Sequence, residues 1–115
     1  GAMPLWLSPV QAIVLPVSQK FDDYALEVQR RLHEAGLRVE VDLRSDKIGA
    51  KIRDATMQKV PYMLVVGGRE AESGAVSVRE RSSGDLGSME VARFASAANE
   101  EAKSRGDRRV AEACR

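Results

Sequence analysis

Between Val10 and Val17 the chain reads VQAIVLPV, with apolar residues on both alternating faces: Val10, Ala12 and Val14 against Ile13, Leu15 and Val17. That pattern predicts a strand covered on two sides. From about Phe21 to Ala35 the apolar positions Phe21, Tyr24, Ala25, Val28, Leu32 and Ala35 recur at helical intervals. Asp22 and Asp23 stand in the first turn, where the helix dipole favours negative charge, and Gly36 supplies the stop. Residues 38–43 alternate strictly, Val39, Val41 and Leu43 against Arg38, Glu40 and Asp42; this predicts a less covered strand at a sheet edge. A second helix is predicted from about Asp46 to Gln58, capped by Ser45 or Asp46, with Ile48, Ile52 and Ala55 inward, Lys47 and Lys51 outward, and Pro61 forcing the end. YMLVV at 62–66 is too short for a buried helix and predicts another central strand. Gly67 to Gly74 reads as a loop. Residues 75–81 set Val76 and Val78 against Ser77, Arg79 and Arg81, which predicts an antiparallel return strand. SSGDLGS reads as a second loop. A last helix, capped by Ser88, is predicted from about Met89 to Lys103 with Val91, Phe94, Ala95, Ala98 and Ala102 inward.

The order βαβαβ, then β, then α predicts a single α/β domain: a mixed, mostly parallel sheet of four to five strands with three helices packed on its two faces. A central first strand and an edge second strand start the sheet as 2-1-3. The winding then reverses between strands one and three, and open α/β sheets bind ligands outside the carboxyl ends of strands at such a reversal. Pro16 to Ser18, Arg44 to Lys47 and Gly67 to Glu70 are predicted to converge there. Gly67 and Gly68 serve either close approach of a ligand to the backbone or a tight turn with positive φ.

Length and composition narrow the class. A chain of 115 residues, 43% hydrophobic and 30% charged, suits one globular domain. Cys114 is the single cysteine, which excludes an internal disulfide and a cysteine-rich zinc site. No apolar run approaches the roughly 20 residues that span a bilayer, and the start lacks the regions of a secretory signal; a cytoplasmic setting is the expectation. Gly1-Ala2-Met3 looks like the scar of a cleaved tag ahead of a domain over 4–105, with 106–115 as a fraying tail. The net charge of +1 names no partner. Its distribution says more: Arg44, Lys47, Lys51, Arg53 and Lys59 stand against only Asp46 and Asp54. Such a run is either a binding patch or a solvated helix face.

Catalytic signatures are scarce. His33, the one histidine, sits beside the core stripe of its helix at a solvent-facing position, and no serine has the glycine pattern of a nucleophile elbow. VVGGRE lacks both the lysine-serine pair of a phosphate loop and the third glycine of a dinucleotide fingerprint. The chain by itself is therefore expected to carry no catalysis and to need no cofactor. Binding chemistry is better supplied. Glu70 precedes the return strand that carries Arg79. A carboxylate accepts from a base's ring N–H and exocyclic amine, while a guanidinium donates to its carbonyl and ring nitrogen. The pair either reads unpaired bases or forms an ordinary surface salt bridge. Arg44, Lys47 and Lys51 are the expected phosphate contacts, which position without reading. Met57, Met63 and Met89 read as core filler, and Trp6 as a cover for the core edge.

Three segments carry a resemblance: WLSPVQAIVLPVS, AGLRVEVDLRSDKIGAKIRDATMQKVPYMLVVGGRE and SGAVSVRERSSGDLGSM. Together, over about Trp6 to Lys103, they closely resemble the C-terminal anticodon-binding domain of threonyl-tRNA synthetase. KIGAKIRDA followed by VPYMLVVG is similar, more loosely, to the histidyl, glycyl and prolyl enzymes of the same subclass. The resemblance implies five strands and three helices, one strand more than periodicity finds. It implies binding to the anticodon loop of threonine tRNA, with readout of the second and third anticodon bases, guanine and uracil. ATP-dependent attachment of threonine, and the zinc site, would belong to a separate catalytic domain of a homodimeric parent. By matching positions Glu70 and Arg79 are the implied base readers, Lys47 lies in the segment that also touches the anticodon, and Ser45 stands where the family often has asparagine. A hydroxyl offers fewer simultaneous hydrogen bonds than an amide. Two other classes compete: a protein-interaction or accessory module on the same fold, and a small-molecule phosphate site at the winding reversal.

Overall fold

The chain is described here by a computed structural model that covers residues 10–44, 46–58, 60–80 and 84–103. The first strand, β1 (Ala12–Pro16), is buried at all five positions, as its two-faced apolar pattern requires. A single 3-10 turn over Gln19–Phe21 leads into α1 (Asp22–Glu34), which buries Ala25, Val28 and Leu32. Gly36 ends α1 at φ 91°. Its N–H donates to the His33 carbonyl at 2.9 Å, and that of Leu37 reaches the Leu32 carbonyl at 3.0 Å; this paired closure needs a residue that tolerates the left-handed region. Next comes β2 (Val39–Val41), parallel to β1 with Ala12 opposite Val39. Its outward Val39 carbonyl accepts from Gln29 Nε2 at 3.0 Å and meets His33 Nε2 at 2.9 Å. The solvent-side histidine thus has a structural partner at the sheet edge.

The second helix, α2 (Ile48–Met57), is followed by β3 (Tyr62–Val66), parallel to β1 on the side opposite β2. Gly67 to Gly74, expected as a loop, contains the short helix α3 (Gly68–Ser73). Then β4 (Ala75–Glu80) runs antiparallel to β3 as predicted, with Met63 opposite Arg79 and Val65 opposite Ser77. SSGDLGS is not simply a loop: β5 (Gly84–Glu90) pairs antiparallel with β4. Ser88 and Met89 lie inside that strand, so α4 (Val91–Lys103) begins two residues later than expected and without the Ser88 cap. The sheet order is β2-β1-β3-β4-β5, which carries the predicted 2-1-3 start and adds the implied fifth strand.

Two apolar clusters sandwich the sheet. The larger joins Val14, Leu64, Val66, Val76 and Val78 to Val28 and Leu32 of α1 and Phe94 and Ala98 of α4. At its centre Tyr62 and Phe94 meet edge to face with ring centroids 5.7 Å apart, a geometry worth about 0.5–1.5 kcal/mol beyond the area buried. Asn99 Nδ2 donates to the Ala35 carbonyl at 3.0 Å and ties α4 to the end of α1. The smaller cluster holds Ile13, Leu15 and Met63 against Ala55 of α2. On that second side α2 lies over β1 and β3, while the short α3 packs against β4 and lines a recess with Ser88 of β5. None of the described helices is long and apolar enough to cross a membrane.

Candidate nucleic-acid interface

The carboxyl ends of β1 and β2 meet around one charged side chain. Lys51 is only 2% exposed, and its Nζ donates to the carbonyl oxygens of Pro16 at 3.1 Å and Asp42 at 3.3 Å. This corrects the expectation that Lys51 points outward to hold phosphate: it spends its charge on strand-end carbonyls inside the molecule. The sequence held a signal for this. Lys51 stands three residues after Ile48 and four before Ala55, on the inward stripe of the helix, although its type argues for the surface.

Arg44 is also committed. Its guanidinium grips the Asp42 carboxylate through Nε and Nη2, the latter at 2.8 Å, and Nη2 also reaches Asp54 Oδ2 of α2 at 2.8 Å. Two carboxylates therefore share the charge expected to meet phosphate, while the Arg44 side chain stays half exposed. The Arg44 guanidinium holds the Asp42 carboxyl below the usual carboxylate range against the opposing effect of burial, with a smaller push from Lys51. Lys47 ends this segment as the residue that opens α2. Its carbonyl accepts from the Ala50 and Lys51 amides, and no side-chain cap precedes the helix, contrary to the expected Ser45 or Asp46. The Lys47 side chain is exposed, with no hydrogen-bond partner among the described residues. Ser45 lies outside the described residues, as do Trp6, Lys59, Arg81 and 104–115.

Glu70 sits in the first turn of α3 with Oε1 accepting from the Gly67 N–H at 2.8 Å. Gly67 has φ −140°, so neither positive φ nor a ligand is needed to explain it. A Cβ there would come within 3.2 Å of Val17 Cγ2 and 3.4 Å of Glu70 Oε1, so glycine lets the carboxylate fold back onto the strand end. The second oxygen, Oε2, has no hydrogen-bond partner among the described residues.

Arg79 projects from the side of β4 that faces away from the larger core. Its neighbours Val78 and Glu80 turn to the larger core, where Tyr62 Oη meets Glu80 Oε2 at 3.4 Å. Alternation therefore sends Ser77 and Arg79 to the other side. Ser88 of β5 is the ladder partner of Ser77, and Ser88 also lines a recess of about 410 Å³ with Glu70, Arg69, Glu72 and Ser73. Glu70 and Ser88 thus line one recess, and Arg79 leaves β4 on the same side as Ser77, the ladder partner of Ser88, so that Arg79 lies two residues, about 7 Å, along the strand from Ser77. No ion pair joins Glu70 and Arg79, and the Arg79 guanidinium has no partner among the described residues; the surface salt bridge expected as the alternative is not formed. Arg69 falls within the Gly67–Glu70 stretch expected at the site, whereas Ser88, expected as a helix cap, reaches the recess because it lies in β5. Among the described residues no group of three or more His, Cys, Asp or Glu side chains is arranged to hold a metal ion.

A family model, the anticodon binding domain, matches residues 11–101. The chain is 58% identical over 105 residues to the threonine–tRNA ligase of Thermus thermophilus, covering 91% of this chain and 16% of that protein. To the threonine–tRNA ligase of Halorhodospira halophila it is 59% identical over 91 residues, or 79% of this chain and 14% of that one. Among solved structures it superposes on the RNA binding domain of threonyl-tRNA synthetase from Cryptosporidium parvum with a TM-score of 0.83 and 34% identity, covering 88% of this chain and 26% of that one. Histidyl-tRNA synthetase from a Nostoc species gives a TM-score of 0.73 at 26% identity over 85% of this chain and 23% of that one. The chain spans about one sixth of the length of the Thermus ligase it matches.

Proposed function

The chain belongs to the anticodon-binding domain family, in its threonyl-tRNA synthetase branch, and from that membership we propose that it grips the anticodon loop of threonine tRNA. A separate catalytic domain, outside this chain, then attaches threonine; ATP and zinc are assigned to that domain, in a homodimeric, cytoplasmic parent. The observation that carries this reading is the Arg79 guanidinium, without a partner among the described residues, on the side of β4 away from the larger core, together with a Glu70 carboxylate of which only one oxygen has a described partner.

The chemistry follows from what each group has left to give. Oε1 of Glu70 is held by the Gly67 N–H, so the carboxylate is fixed in orientation while Oε2 remains available to the N–H donors of a guanine edge. A guanidinium offers two parallel donors that match the acceptors of a base. Anticodon bases arrive already unstacked and single-stranded, so their edges are readable without opening a helix. Lys47, exposed at the start of α2, supplies a phosphate contact that positions the loop.

The test is a titration with the threonine anticodon stem-loop and with loops altered at the second and third anticodon bases. Arg79→Ala is expected to weaken the native complex by about 1–3 kcal/mol and to relax discrimination at one position. Equal affinity of the wild-type chain for all the loops would remove base readout.

A further inference from the structure

A buried ammonium is costly unless its donors are met. Lys51 meets two of them with the carbonyls of Pro16 and Asp42, one at the end of β1 and one just past β2. Asp42 is fixed from its other sides as well. Its N–H donates to the Val14 carbonyl at 3.0 Å, its Oδ1 accepts from the Arg44 amide at 3.1 Å, and its carboxylate holds the Arg44 guanidinium. That guanidinium reaches on to Asp54 of α2. Asp42 and Arg44 are thereby fastened to β1 on one side and to α2 on the other, and the exposed Lys47 stands at the start of α2, one turn before Lys51.

We propose that Lys51, tying Asp42 to Pro16 with Arg44 as brace, is a positioning residue for RNA: it sets the segment that presents Lys47 before the ligand arrives, and touches no phosphate itself. This rests on the anticodon-loop reading above. A segment that must order on binding loses that entropy from the affinity, whereas one ordered on folding does not. The contribution of Lys51 therefore passes through Lys47 and carries no counterion release of its own.

The experiment is a double-mutant cycle on stem-loop affinity across a salt series, using wild type, Lys51→Met, Lys47→Ala and the double variant. Lys51→Met is expected to weaken binding about tenfold with the log–log salt slope unchanged, while Lys47→Ala makes that slope shallower by about 0.7. In the double variant Lys47→Ala costs less than it does alone. Additive losses, or a slope that falls with Lys51→Met, would overturn the proposal. Should Lys51→Met fail to fold, Arg44→Gln and Asp54→Asn release the brace at the surface instead. In both, amide exchange of Leu43, Arg44, Asp46 and Lys47 without RNA is expected to quicken while that of β1 and β3 stays slow; unchanged exchange at those four amides overturns the proposal. This arm is independent of RNA, so the two failures are told apart: a wild-type chain that fails to distinguish anticodon loops defeats the functional reading, whereas unchanged exchange defeats the bracing of the segment.

Discussion

Asp42 shows how one side chain can hold a surface segment in register with the core. Its carboxylate answers Arg44, its carbonyl answers Lys51, and its amide continues the parallel ladder to Val14. Because Arg44 keeps the folded carboxyl below its ordinary value of 3.8, the folded state favours the ionised form. The stability this contributes is fully present above pH 3.8 and is lost as pH falls through the lowered folded value. Acidification is therefore expected to loosen residues 42–47 below about pH 3.8, with no such change between pH 5 and 8. An NMR titration following the Asp42 carboxyl checks this: in Arg44→Gln its midpoint rises toward 3.8, and an unmoved midpoint would assign the shift to another cause.

Whole elements form or fail to announce themselves according to how much apolar surface they bury. α1 has both a buried stripe and an end signal, and Gly36 at φ 91° has nothing within 4 Å of where a Cβ would stand. Gly36→Ala therefore costs only backbone strain and is expected to lower stability by about 1 kcal/mol, measured by denaturant unfolding. A larger loss would mean the position is crowded. β1 and β3 were legible as short apolar runs covered on both faces, and α1 and β4 because their apolar residues follow a single period. α3 was not: GREAES buries none of its six residues, so no hydrophobic stripe marks it, and its start rests on Glu70 folding back to Gly67. β5 was hidden by its bulge. The pairing steps from Val78–Gly87 to Arg79–Asp85, with Gly87 at φ 94° and Leu86 left over, and one extra residue breaks the alternation that identifies a strand. The site divided in the same way. Glu70 and Arg79 could be named from residue type and order, whereas the inward turn of Lys51 follows from its place on a helical stripe that its charge disguised.

At the scale of the molecule, these commitments change the expected electrostatics of binding. Arg44, Lys47 and Lys51 together would neutralise three phosphates, and the single-strand rule would then give a salt slope near −2. With Lys51 buried and Arg44 held by two carboxylates, Lys47 alone of the three is free, and the slope is expected to lie nearer −0.7 plus whatever Arg69 and Arg79 add. Affinity measured from low to moderate salt decides this, and a slope of −2 that survives removal of Arg69 and Arg79 would show cations elsewhere at work. The sheet's two margins are also unlike. At the β2 margin the outward carbonyl of Val39 is already taken by Gln29 and His33, so a stray extended chain finds its first acceptor occupied. In a cell crowded with nascent polypeptide, that closed selvedge spares the domain from being stitched onto its neighbours.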